Sequence, residues 1–386
     1  MTNRIQLGVA AALILAIAPA VALSQTAAKA PAKAAPAKSA WKAPRLSDGR
    51  PDIGGFWENS TMTPLERQTK FGDRRAYTED EVRQVEGDTA VRNKRINAPT
   101  DPKVQENWAK LAKGPDTLDE CRGGSTGVAC GYNAGWTDPG DHFMRVGGEA
   151  RTSLITYPAN GRVPAPKAGA PRAGRGPVAV EEGEGISPPV PARGGGGRGG
   201  GGGGGGQYAN PEDVGLAMRC IMSFGRSTGP IMLSQLYNNN YQFVQGKDTV
   251  AIWVEMVHDV RIVRINGKHR TDGVRPYYGD SIGHYEGDTL VVETTNFPAS
   301  TNLNGSSANL TMIEKFRRVG PNRLLYQFEA RDPTMWDQPW GGEYEFQRST
   351  GVYEYACHEG NYALEGVLAG ARAADKAASQ PKAAAR

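Results

Sequence analysis

The residues in this chain best suited to chemistry are two histidines that stand next to carboxylates. His258 precedes Asp259 at the end of TVAIWVEMVHD, and His358 precedes Glu359 in YEYACHEGNYAL. Imidazole titrates near neutral pH and a neighbouring carboxylate can orient it, so His258, Asp259, His358 and Glu359 together form a candidate acid–base set. If the strand through Val250 and Val257 is unbroken, Val250, Ile252, Val254, Met256 and His258 share one face, and Trp253, Glu255, Val257 and Asp259 the other. His258 then closes an apolar face, either as a base at a pocket mouth or as a strand-end residue satisfied by the backbone. The same residue types also suit divalent metals, but no metal site is expected. His269 and His284 read as surface residues of a turn and a hairpin arm.

Other familiar signatures are missing. The sequence has no H-E-x-x-H helix. Cys357 beside His358 does not make a good thiol nucleophile, because adjacent strand residues point apart. The Gly-rich run near 200 lacks the preceding strand and following helix that a phosphate-cradling loop needs. A second candidate set is for binding: Asn239, Asn240, Tyr241, Trp253 and Glu255 could present amides, a carboxylate and aromatic surface to an organic ligand.

Four cysteines are present, Cys121, Cys130, Cys220 and Cys357. Pairing Cys121 with Cys130 closes a small loop, and pairing Cys220 with Cys357 ties the start of the main region to its end; the other pairings stay open. No C-x-x-C spacing supports zinc. The N-terminus, MTNRIQLGVAAALILAIAPAVALSQ, has a basic flank, an apolar run and small residues before Gln25, the pattern of a secretory signal cleaved after Ser24. A periplasmic or secreted protein with disulfides and no membrane span after cleavage is therefore expected.

The elements that must position these residues are mostly strands. Residues 1–24 form the signal, 25–45 an Ala/Pro/Lys linker, 46–164 the first part of the ordered domain, 165–209 a disordered Pro/Gly-rich insertion, 210–372 the main β-rich region and 373–386 a disordered tail. Thr78 followed by Glu81 is a capping-box pattern that starts a helix, and Asp101 to Lys113 suggests a second. Asn210 and Pro211 open a third. Short β-branched and aromatic runs follow at 242–245, 250–257, 260–265, 290–294, 312–319, 324–330, 344–347 and 352–356. Asn266-Gly267 and Gly287-Asp288 read as hairpin turns. Meander strands without intervening helices predict an antiparallel barrel or strongly curved sheet with a few short peripheral helices. The formal net charge of +4 comes mostly from Lys residues of the linker and tail, so nucleic acid is not an expected partner.

The motifs GRPDIGGFW, RTSLITYPANGR, EMVHDVRIV, YEGDTLVVETTNF and YEYACHEGNYAL together resemble a family of uncharacterised exported bacterial proteins rich in antiparallel strands. Cys220 and Cys357 match that family's pattern, and Cys121 and Cys130 depart from it. The resemblance carries over no established activity, and the cofactor stays open. Gly55-Phe56-Trp57 is similar to the G-x-W that opens the first strand of calycin-type barrels. The expectation from sequence is an exported barrel that binds a small organic ligand in its interior. Two alternatives are a hydrolase or lyase built on the His/carboxylate set, and an envelope interaction protein.

Overall fold

The computed structural model describes residues 41–97, 138–170, 208, 210–223 and 229–379. Cys121, Cys130, the expected helix at 101–113 and most of the Gly-rich insertion lie outside them. Twelve strands are described: β1 (Gly55–Glu58), β2 (Arg145–Val146), β3 (Glu149–Ala150), β4 (Ile155–Tyr157), β5 (Asn240–Gln245), β6 (Thr249–Val254), β7 (Val260–Ile265), β8 (Asp280–Glu286), β9 (Thr289–Thr295), β10 (Thr311–Gly320), β11 (Arg323–Arg331) and β12 (Trp340–Arg348). Two α-helices accompany them, α1 (Glu79–Ile96) and α2 (Tyr362–Ser379).

Nine strands close a barrel in the order β1, β5 to β12 and back to β1, with β4 added to β12 and a small β2/β3 hairpin outside. A ring with an odd number of strands cannot be antiparallel throughout. The mismatch falls between β7 and β8, which pair in parallel through Val263 and Ser281. Asn266-Gly267 is therefore not the hairpin turn its sequence suggests: it opens a crossover, residues 266–279, that returns the chain to the rim where β7 began.

Alternation decides which side chains enter the barrel. Trp57, Tyr241, Phe243, Ile252, Val263, Phe316, Tyr326, Tyr344 and Phe346 are at most 1% exposed. Tyr326 stands 5.0 to 5.9 Å, ring centre to ring centre, from Phe316, Phe328, Tyr344 and Phe346, so the interior is filled by the chain's own aromatic side chains. At one rim, made of tight turns, Arg348 stacks over Trp57 and gives a hydrogen bond to the Gly54 carbonyl. Gly55, at φ 111°, leaves room for that guanidinium, which a Cβ there would strike.

The other rim carries the long connections. Ile231, Met232 and Leu233 enter there, fully or nearly buried. The Met232 amide donates to the Tyr326 hydroxyl at 3.1 Å, and the Met232 carbonyl accepts from Asn59 Nδ2 at 3.0 Å. On the outside, α1 begins with the capping box read from sequence: the Glu81 amide donates to Thr78 Oγ1, and Glu81 Oε2 accepts from the Thr78 amide at 2.8 Å. The residues after Asn210 form a single 3-10 turn, Pro211–Asp213, rather than a longer helix. Residues 352–356 are not a strand. Helix α2, absent from the sequence expectation, takes in the first part of the segment read as a disordered tail; its Ala, Leu, Lys and Arg content favours helix.

Candidate functional site

The strand expected to run through Val257 ends at Val254, and the chain turns at once. Met256–His258 form a 3-10 turn, with φ 67° at Val257 and 47° at His258. This break lifts His258 off the apolar face into solvent. Its Nδ1 donates to the Tyr355 carbonyl at 3.1 Å, so a backbone acceptor, and not Asp259, orients the ring. Asp259 Oδ1 accepts from the Val260 amide next to it at 2.6 Å. The EMVHD and YEYACHEGN segments do meet, through this contact, while the Cys220–Cys357 disulfide ties the second of them to the residues around Cys220. His358 and Glu359 are exposed, and none of the described contacts joins them to His258.

Of the expected ligand contacts, Asn239, Asn240 and Glu255 are brought together. The buried Glu255 carboxylate accepts from Asn238 Nδ2 at 2.8 Å and from the Asn240 amide at 3.1 Å. Asn239 Nδ2 donates to the Asp138 and Gln235 carbonyls. These amides are spent on their own turn. Tyr241 points into the filled barrel, its hydroxyl 3.1 Å from Asn59 Nδ2. Trp253 lies half-buried on the outward face of β6. The interior site expected for a ligand is thus occupied by side chains.

The asparagine run leads to a cluster that sequence reading missed. Glu58, at the end of β1, pairs in register with Asn240 on one side and Gln347 on the other. The Ser60 hydroxyl donates to Glu58 Oε2 at 2.8 Å, and the Asp138 carboxyl lies beside the same hydroxyl. Burial pushes the Glu58 carboxyl above its ordinary range, and the charges of Asp138 and Asp141 push the same way. Asp138 keeps an exposed edge, yet crowding and then the charge of Asp141 raise its carboxyl too. Beside them His142 Nδ1 donates to Asp141 Oδ1 at 2.9 Å. No local spacing reveals this group, because residues 58 to 60 and 138 to 142 lie about eighty positions apart and meet where the chain after β1 packs on His142.

His142 also opens a cleft of about 330 Å³ between the outer wall of β11 and β12 and the α1/β2/β3 layer. Glu86, Arg145, Arg323, Glu345 and Gln347 line it. Burial raises the Glu345 carboxyl, against the opposing pull of Arg323 at 3.2 Å. Arg145 is engaged by both oxygens of Glu79 at 2.8 and 2.9 Å.

A second missed group pins the crossover. His269 Nδ1 and Nε2 each lie 3.0 Å from a carboxylate oxygen, of Asp280 and Glu293 respectively. Arg264 Nη1 donates to Asp280 at 2.7 Å and the Arg270 amide donates at 2.9 Å. His269 is therefore a structural bridge and not a free surface residue.

Among the described residues, no group of three or more His, Cys, Asp or Glu side chains is arranged to hold a metal ion, and no helix is long and apolar enough to cross a membrane. No protein-family model, curated protein or solved structure matches the chain.

Proposed function

We propose that the protein is an exported acid–base enzyme, a hydrolase or lyase, acting on a small polar substrate at the Glu58/Asp138 cluster, whose neighbour His142 lines the adjoining cleft. One observation carries this reading: two carboxyls, Glu58 and Asp138, lie beside the Ser60 hydroxyl, which donates to Glu58 at 2.8 Å, and desolvation raises both. Both shifts favour the protonated form, which suits one of the two carboxyls to serve as general acid while the other serves as base. In a hydrolytic step the acid protonates the leaving atom and the base takes a proton from the attacking water. In an elimination the base takes that proton from carbon. His142 lines the adjoining cleft and is oriented by Asp141, so its imidazole can relay protons to solvent. Export is supported by the signal-like N-terminus and by the Cys220–Cys357 disulfide.

The test is a hydrolase and lyase substrate screen at several pH values, followed by Glu58→Gln and Asp138→Asn. Each variant should lower kcat about 10²- to 10⁴-fold with little change in KM. Because a raised carboxyl pKa means that ionisation at neutral pH opposes folding, Glu58→Gln should also raise the thermal midpoint near pH 7. Activity that survives in both variants would remove the assignment.

The cleft volume favours a second reading, ligand binding without catalysis, since about 300 Å³ is the lower end of small-molecule sites. Thermal-shift screening against phenolics, lipids and sugars tests it. Stabilisation by a ligand that wild type binds but does not convert, lost on Arg323→Ala, would favour this reading over catalysis.

A further inference from the structure

The turn at His258 is costlier than a connection between β6 and β7 requires. Two consecutive residues without a glycine, one of them β-branched, sit in the left-handed region, at φ 67° and 47°. A glycine would adopt that backbone without strain. The turn is held on both sides: Met256 and Val257 are buried, and the buried Glu255 carboxylate is gripped by Asn238, itself at φ 56°, and by the Asn240 amide. This arrangement presents the exposed His258 with a fixed ring. Because Nδ1 donates to the Tyr355 carbonyl, the neutral imidazole carries its lone pair on Nε2, which has no partner among the described residues.

The surroundings are aromatic. The Tyr355 and Tyr237 rings lie nearly parallel, 14° apart with centres 6.4 Å from one another, and both are half-exposed. Tyr353 and Tyr362, on the same disulfide-anchored segment, are 70% and 79% exposed. The polar rim includes Asp259, Glu354, His358 and Glu359, and the large aliphatic side chains exposed beside it are Leu236 and Val260. A protein partner needs about 800 Å² of well-packed surface on each side, with aliphatic and aromatic groups at its centre. A few phenol rings bordered by an imidazole and carboxylates match a smaller object, one with a flat apolar face and hydroxyls at its edge.

We propose that this rim is a saccharide-binding subsite, in which a sugar ring lies against the Tyr355 and Tyr237 phenols and donates a hydroxyl hydrogen bond to Nε2 of His258. The ring's C–H face would cover the aromatic surface, and its outer hydroxyls would reach the acidic rim. The subsite stands independently of the acid–base reading, since it uses none of Glu58, Ser60, Asp138 or His142.

The experiment is a titration of the full-length mature protein with chitohexaose and, separately, maltohexaose, followed by NMR of the histidine side chains and tyrosine rings. At least one glycan should shift the His258 and Tyr355 signals with a dissociation constant below about 10 mM, leaving His269 unmoved. His258→Asn, which tolerates the left-handed backbone, and Tyr355→Leu should each weaken binding at least tenfold. A Glu58→Gln/Asp138→Asn protein should bind as wild type does, which separates this proposal from the catalytic one. Absence of shifts with both glycans up to that concentration, or binding unchanged in both single variants, overturns it. So does a glycan-silent rim whose exposed tyrosines are instead covered by a protein partner.

Discussion

Arg261 and Glu314 form an ion pair inside the barrel, with side chains 1% and 0% exposed, and the Tyr326 hydroxyl donates to the same carboxylate at 2.8 Å. Removing one partner from such a pair leaves a buried charge unmatched. Glu314→Gln should therefore cost about 3–5 kcal/mol in urea unfolding, whereas the double change Arg261→Met/Glu314→Leu should recover most of that loss. A double variant no more stable than the single one would show that the pair contributes more than it costs to desolvate.

Asp280 fixes the crossover that makes the parallel β7/β8 pair possible. Burial works against its charge, but hydrogen bonds from Arg264, the Arg270 amide and His269 outweigh it and hold the carboxyl well below the usual range. Asp280→Asn should cost about 2 kcal/mol or more and should raise hydrogen exchange across residues 266–279 before the rest of the barrel responds. Uniform exchange throughout the barrel would place the role of Asp280 elsewhere.

The Glu81 carboxyl is lowered from 4.5 to about 2, first by Arg74 at 2.6 and 2.7 Å and then by the Thr78 amide. A depressed carboxylate contributes stability above its unfolded value and loses it as pH falls through the folded one. Amide protection in the first turn of α1 should thus fall between about pH 4.5 and pH 2 in the wild type, and should be weaker and flatter with pH in Glu81→Gln. Parallel curves for the two proteins would count against the cap.

Cys220 and Cys357 are bonded across a separation of 137 residues. In the chain-entropy account a loop that long is worth up to about 5 kcal/mol. Cys220→Ala/Cys357→Ala should lower the unfolding midpoint and expose residues 351–379 to limited proteolysis, since Asn361 bonds to Met218 and Cys220 alongside the disulfide. Unchanged cleavage would mean that the remaining contacts suffice.

Several strands and their inward faces were legible locally, though the run at 352–356 is not a strand and β8 was not foreseen. Leu324, Tyr326, Phe328 and Ala330, which alternate with more polar positions, are all buried, because a period of two places them on one side of β11 whatever its partner. The Thr78/Glu81 cap was legible for the same reason: its geometry is contained within four residues. The end of β6 was not. Nothing in EMVHD forbids extension, and only the pull of the Asn238–Asn240 turn on Glu255 bends the chain and turns His258 outward. Nor was the filled interior, which depends on how nine strands close and on Met232 entering from outside the sheet. Glu58 and Asp138 meet for a purely tertiary reason: β1 must pair with both β5 and β12 to seal the ring, and the chain that follows it then lies against residues about eighty positions away. Local sequence sets periodicity and caps. Which distant carboxyls come together is decided by how the chain folds back beside the end of β1.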